Sequence, residues 1–138
     1  MDWKEYPYIG HLSKQLSGLS YRPLVELELH GLTGTHRASA LIDSGSEASM
    51  MDMEIAEALG IKIPEHLPIT VSGVSGSKRG FSSPVSFKVE GFDDVFTFTV
   101  IFVSEPSFDI VLGQQDFFRN FDIEFLRNEG IFRLKRSV

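Results

Sequence analysis

Asp43 follows two apolar residues and precedes a hydroxyl and a glycine, in Leu41-Ile42-Asp43-Ser44-Gly45-Ser46. A carboxylate carried to the edge of a core by a buried strand must be compensated by hydrogen-bond donors. Ser44 brings a hydroxyl, and Gly45, lacking a Cβ, lets backbone N–H groups come close to the carboxylate. A group held this way can take a proton from water or return one. The tripeptide alone is equally well read as a strand-ending turn, since Asp, Ser and Gly all favour turns. Asp-Ser/Thr-Gly occurs once in the chain. Glu54 and Glu57 lie at helical spacing but have solvent-facing character, so they do not form a second catalytic pair.

Other chemistry-bearing residues fit their templates poorly. His11, His30, His36 and His66 lack metal-ligand spacing such as i, i+4 around a glutamate, so no metal site is expected. Ser44 lacks the Gly-x-Ser-x-Gly elbow of a serine nucleophile. Gly73-Val74-Ser75-Gly76-Ser77-Lys78 has neither the spacer nor the Lys-Ser/Thr ending of a phosphate loop, and reads as a flexible hairpin tip. Met50, Met51 and Met53 read as core filling.

The elements that must position Asp43 are mostly strands. Leu24 to Leu29 alternates apolar and charged residues, the period of a half-buried strand, and His36 to Ile42 is its returning partner after the turn at Leu32 to Thr35. This hairpin delivers Asp43 at its end. Ser49-Met50-Met51-Asp52 has the form of a capping box ahead of a short helix over 53–59, stopped by Gly60. Residues 69–89 read as a long hairpin with a glycine-rich tip. Asp94 to Val103 is the strongest strand, Ile110 to Leu112 a buried one, and 115–121 a helical turn. Ile123 to Phe125 and Ile131 to Leu134 flank a final hairpin turn. The class is mainly all-β, with one or two short helices. Residues 1–21 lack a sustained period and read as an irregular N-terminal arm, with the domain at 22–138.

Composition narrows the function. At 138 residues, 42% of them hydrophobic, the chain suits one domain with a real core. It has no cysteine, which removes disulfides, thiolate nucleophiles and cysteine-ligated zinc together. A formal net charge of −6 with scattered basic residues argues against a nucleic-acid partner. No run of about 18 apolar residues and no signal-peptide core is present, so no membrane span is expected and cytoplasmic residence is the natural expectation.

Leu41-Ile42-Asp43-Ser44-Gly45-Ser46-Glu47-Ala48-Ser49 resembles the catalytic loop of the retropepsin-like aspartic proteases. Ile110-Val111-Leu112-Gly113 resembles the family's second element, and residues 69–89 occupy the interval where a flap hairpin belongs. The likeness covers roughly residues 22–136. It implies a closed, barrel-like acid-protease lobe and a cofactor-free endopeptidase acting on an extended peptide. Asp43, Ser44 and Gly45 would form the catalytic loop, and Gly73, Val74, Ser75, Gly76 and Ser77 the substrate-covering flap. The chain is too short for two lobes, so the second Asp43 must come from a partner in a homodimer.

By the same resemblance Ser44 would bond across that dimer, and Gly113 would let its strand pass close behind Asp43. Ser46, where retroviral members usually carry Ala, is expected to donate to the Asp43 carboxylate, favour its ionised form and lower the pH optimum. Gln114-Gln115-Asp116 is one residue longer before the Asp than in many relatives, which leaves its role open. Two other readings stand beside the protease: a catalytically weak or inactive retropepsin-like module for peptide binding or dimerisation, and an unrelated β-barrel in which Asp43 only ends a strand.

Overall fold

A computed structural model describes residues 2–12, 18–73 and 76–138. Among these residues twelve strands are formed: β1 (Lys4–Pro7), β2 (Ile9–Leu12), β3 (Leu19–Arg22), β4 (Leu24–Gly31), β5 (Gly34–Ile42), β6 (Met50–Asp52), β7 (Ile69–Gly73), β8 (Gly76–Val89), β9 (Val95–Val103), β10 (Ile110–Leu112), β11 (Phe121–Leu126) and β12 (Ile131–Arg136). Two short helices, α1 (Met53–Ala58) and α2 (Phe117–Asn120), interrupt them. The mainly all-β class expected from the sequence is the class observed.

The sequence alternation explains the strands. Val25, Leu27 and Leu29 of β4 face inward while Glu26 and Glu28 do not, and Phe96, Phe98, Val100 and Phe102 of β9 are buried between exposed threonines. The main sheet runs β4-β5-β10-β6-β9-β8-β7, and β4 also pairs with β8. That extra pairing closes six strands into a barrel, leaving β7 attached to the outer half of β8. β10 is buried along its whole length because it lies inside the sheet, parallel to β5 and antiparallel to β6. A second sheet, ordered β1-β12-β11, is joined to the barrel through aromatic contacts. Phe121 stacks on Phe117 at 4.6 Å between ring centroids and meets Phe92 and Phe96 at 5.1 and 5.3 Å.

Two local expectations change. Residues 1–21, read as irregular, contain β1, β2 and β3. β1 adds to β12 with Tyr6 opposite Phe132; their rings stack at 5.2 Å, and the Tyr6 hydroxyl donates to the Glu90 carbonyl at 2.5 Å. A four-residue strand carries too short a pattern to declare itself, and its partner lies more than a hundred residues away. The helix starts at Met53 as expected, but the residues ahead of it differ. Met50–Asp52 is β6, held by β9 and β10, and Asp52 caps α1 by accepting from the Glu54 N–H at 3.1 Å. Sheet pairing on both sides of Met51 outweighs the capping box read from Ser49.

No helix among the described residues is long and apolar enough to cross a membrane. Val74 and Ser75, expected at the flap tip, lie outside the described residues.

Candidate active site

β5 and β10 run in parallel, and their ends fix Asp43. Ile42 donates its N–H to the Pro23 carbonyl at 3.1 Å, and Asp43 donates its own to the Leu112 carbonyl at 3.0 Å. The chain then turns sharply, with Ser46 N–H on the Asp43 carbonyl at 3.1 Å. Inside this turn the Gly45 N–H donates to Asp43 Oδ1 at 2.9 Å. A Cβ at Gly45 would lie 3.3 Å from that same oxygen, so glycine admits the approach with little to spare. Asp43 is half-buried, and Ser44 and Gly45 are exposed. A carboxylate is thus held at the surface by one backbone donor, open to a ligand or a second chain.

Gly113 sits directly after β10 and is buried. A Cβ there would meet the Ala48 carbonyl oxygen at 2.6 Å and that of Ser46 at 2.8 Å. The close passage at Gly113 is made against the backbone of residues 46–48, in the loop that follows Asp43. Past Gly113 the chain clasps that loop: Gln114 N–H donates to Ser46 O at 2.8 Å, Gln115 N–H to Glu47 O at 2.8 Å, and Gln114 Nε2 to Ser44 O at 2.8 Å.

Ser49 is fully buried, and its hydroxyl links both halves of the site. It accepts from the Gly113 N–H at 3.0 Å and donates to Asp116 Oδ1 at 2.5 Å. Asp116 also accepts from Phe117 N–H at 2.7 Å, and its carbonyl accepts from Asn120 Nδ2 at 2.7 Å. The open role of Gln114-Gln115-Asp116 is settled by these contacts: the segment braces the loop that carries Asp43. Nothing in the sequence paired Ser49 with Asp116, because they lie 67 residues apart and each also suits a helix cap.

Ser46 departs from expectation. Its hydroxyl donates to the Ala48 carbonyl at 2.7 Å rather than to Asp43. The tight turn closes on itself there, which leaves the hydroxyl satisfied locally.

A cavity of about 290 Å³ opens at Asp43. Leu41, Met50, Val103 and Val111 line it from the barrel, Pro106, Ser107 and Phe108 from one side, and Val71, Ser72, Gly73, Gly76 and Lys78 from the β7–β8 hairpin. The fold thus brings Gly73 and Gly76 over the same space as Asp43. Ser77 lies beside them, its hydroxyl 3.1 Å from that of Ser72. Larger cavities of about 590 and 570 Å³ lie elsewhere, one along β9 and α2, the other beside Ile61 to Glu65, and Asp43 lines neither. Among the described residues no three His, Asp or Glu side chains cluster closely enough to hold a metal ion.

A sequence profile described as Aspartyl protease matches residues 25–115, about two thirds of the chain. No curated protein matches the sequence. Among solved structures, the chain is similar to EIAV protease complexed with the inhibitor HBY-793, at 21% identity and a TM-score of 0.53, covering 71% of this chain and 86% of that one. It is similar to a retropepsin-like aspartic protease from Rickettsia conorii at 10% identity and a TM-score of 0.64, covering 94% and 98%. The retroviral protease-like domain of Ddi1 from Leishmania major gives 14% identity and a TM-score of 0.59, covering 85% and 94%. At these identities the structural likeness establishes the fold.

Proposed function

The chain belongs to the aspartyl protease family, and from that membership we propose that it is an aspartic endopeptidase whose active site is assembled from two copies, each contributing Asp43. Its fold is a single retropepsin-like lobe. The observation that carries the proposal is the placement of Asp43: a half-exposed carboxylate, fixed by the Gly45 N–H, at a cavity roofed by the β7–β8 hairpin.

One carboxylate is insufficient for the chemistry. Hydrolysis of an amide needs one group to take a proton from water while another gives a proton to the carbonyl oxygen. Two carboxylates brought to about 3 Å cannot both ionise, so the pair holds one proton and serves as base and acid together. Water oxygen adds to the carbonyl carbon, its proton passes to the ionised carboxylate, and the shared proton passes to the carbonyl oxygen. Collapse of the resulting diol breaks the C–N bond, and a proton returns to the leaving amine. With Asp-Ser/Thr-Gly present once per chain, a two-fold axis supplies the second Asp43. By this reading exposed Ser44 would bond across that axis, and the β7–β8 hairpin, whose Gly73 and Gly76 line the cavity, would close over an extended peptide.

The test is a mixed peptide library incubated with wild type and Asp43→Asn from acidic to neutral pH. Cleavage by the wild type alone is expected. Binding without cleavage by either form would assign the chain to the peptide-binding, non-catalytic alternative.

A further inference from the structure

Among the described residues Lys78 is the one cation lining the cavity at Asp43, and Asp43 the one other ionisable residue there; the rest of that lining is mostly apolar. The ammonium is not loose. It donates to the Ser104 carbonyl at 3.0 Å and to the Glu105 carbonyl. Glu105 occupies the left-handed region with φ of 49°, so the loop presenting these carbonyls adopts an uncommon conformation. β8 brings Lys78 to the cavity from one side, opposite Val71 of β7 in register, while the loop after β9 meets it from the other.

An ammonium has three donors and a full charge. Two donors are used on neutral carbonyls, which fix the group without neutralising it. Among the described residues no carboxylate lies within salt-bridge distance of Lys78; every ion pair involves Arg or His instead. Lys78 is half-buried, so a ligand carboxylate that reached it would be less screened than on an open surface. The neighbouring walls, Leu41, Met50, Val71, Val103, Phe108 and Val111, take an apolar side chain.

We infer that Lys78 is a specificity-determining residue, and that the preferred substrate is an extended peptide pairing an apolar residue at the Asp43 cavity with an acidic side chain that reaches Lys78. The inference rests on the reading of this cavity as a peptide site. It makes the substrate class an acidic–apolar sequence rather than an apolar one alone. A chain of net charge −6 would otherwise repel acidic peptides, so the preference depends on this local cation and not on the overall field.

The experiment compares matched peptides, identical except for Glu or Gln at each position flanking a common apolar residue. Cleavage is measured with wild type, Lys78→Met and Lys78→Glu, and equilibrium binding with Asp43→Asn carrying each Lys78 residue. At one position the wild type should favour Glu by about fivefold in kcat/KM, the size of a partly exposed ion pair. Lys78→Met should abolish that ratio, and Lys78→Glu should invert it. Cleavage with equal Glu and Gln ratios in all forms overturns the inference and leaves the protease intact. A Lys78-dependent Glu preference in binding without any cleavage supports the inference and removes the protease. Binding of no peptide at all overturns both.

Discussion

At Asp43 the side chain is held by backbone, and the backbone is held by residues that do no chemistry. Gly113 is the tightest of these, since any Cβ would fall 2.6 Å from the Ala48 carbonyl oxygen. Gly113→Ala must push the Asp43 loop away from β10, and we expect a loss of about 2–4 kcal/mol, read as a lower urea midpoint, together with loss of the proposed cleavage. Ser49→Ala leaves the Gly113 N–H and Asp116 Oδ1 short of a partner, and chemical denaturation should show a cost of about 1–3 kcal/mol. Ser46→Ala should behave differently. Its hydroxyl serves Ala48 and not Asp43, so the variant should keep the wild-type pH profile while losing about 1 kcal/mol of stability; a displaced optimum would sink this reading. The turn at Asp43, Ser44 and Gly45 and the close passage at Gly113 were legible in the sequence because they lie in contiguous motifs. Ser49, Asp116 and Lys78 were not, because each acquires its role only from a residue brought close by folding.

Among the elements, β4, β5, β8, β9 and β10 were legible because each carries either alternation or an unbroken apolar run. β1 was hidden for want of length, yet it is anchored firmly. Tyr6 lies buried on Phe132 with its hydroxyl on Glu90, and burial, helped by the nearby Glu90 charge, pushes its phenol up to about 12 from 10.0. Folding therefore retains a proton that the unfolded chain releases above pH 10. The native state binds more protons between pH 10 and 12, so stability falls as pH rises through that window, and the contribution is intact below it. The loss reached by pH 12 should be about 2 kcal/mol. Tyr6→Phe should remove this alkaline slope while lowering stability at neutral pH through the lost bond to Glu90. Denaturation midpoints measured from pH 8 to pH 12 separate the two effects, and identical slopes in wild type and variant would refute the assignment.

For the molecule as a whole, the proposed sharing of one active site between two closed barrels, each offering one Asp43, would make activity a property of pairs. Each subunit carries a net charge of −6, so association works against mutual repulsion, and moderate salt should strengthen it by screening. Below the dimer dissociation constant the rate should fall as the square of protein concentration, while an enzyme complete in one chain would show simple proportionality. Mixing gives a sharper discrimination. If wild type and Asp43→Asn are combined in equal amounts and allowed to exchange, random pairing leaves about a quarter of the dimers with two aspartates, because both partners must be wild type. Of the remaining pairs, those with one aspartate lack the second carboxylate and those with none lack both. Activity per dimer should then drop to about a quarter of the unmixed wild type, whereas a chain that worked alone, or a dimer with two independent sites, would retain about half. Sedimentation of the same mixture confirms that pairs persist, so the distinction rests on how many carboxylates one active site requires.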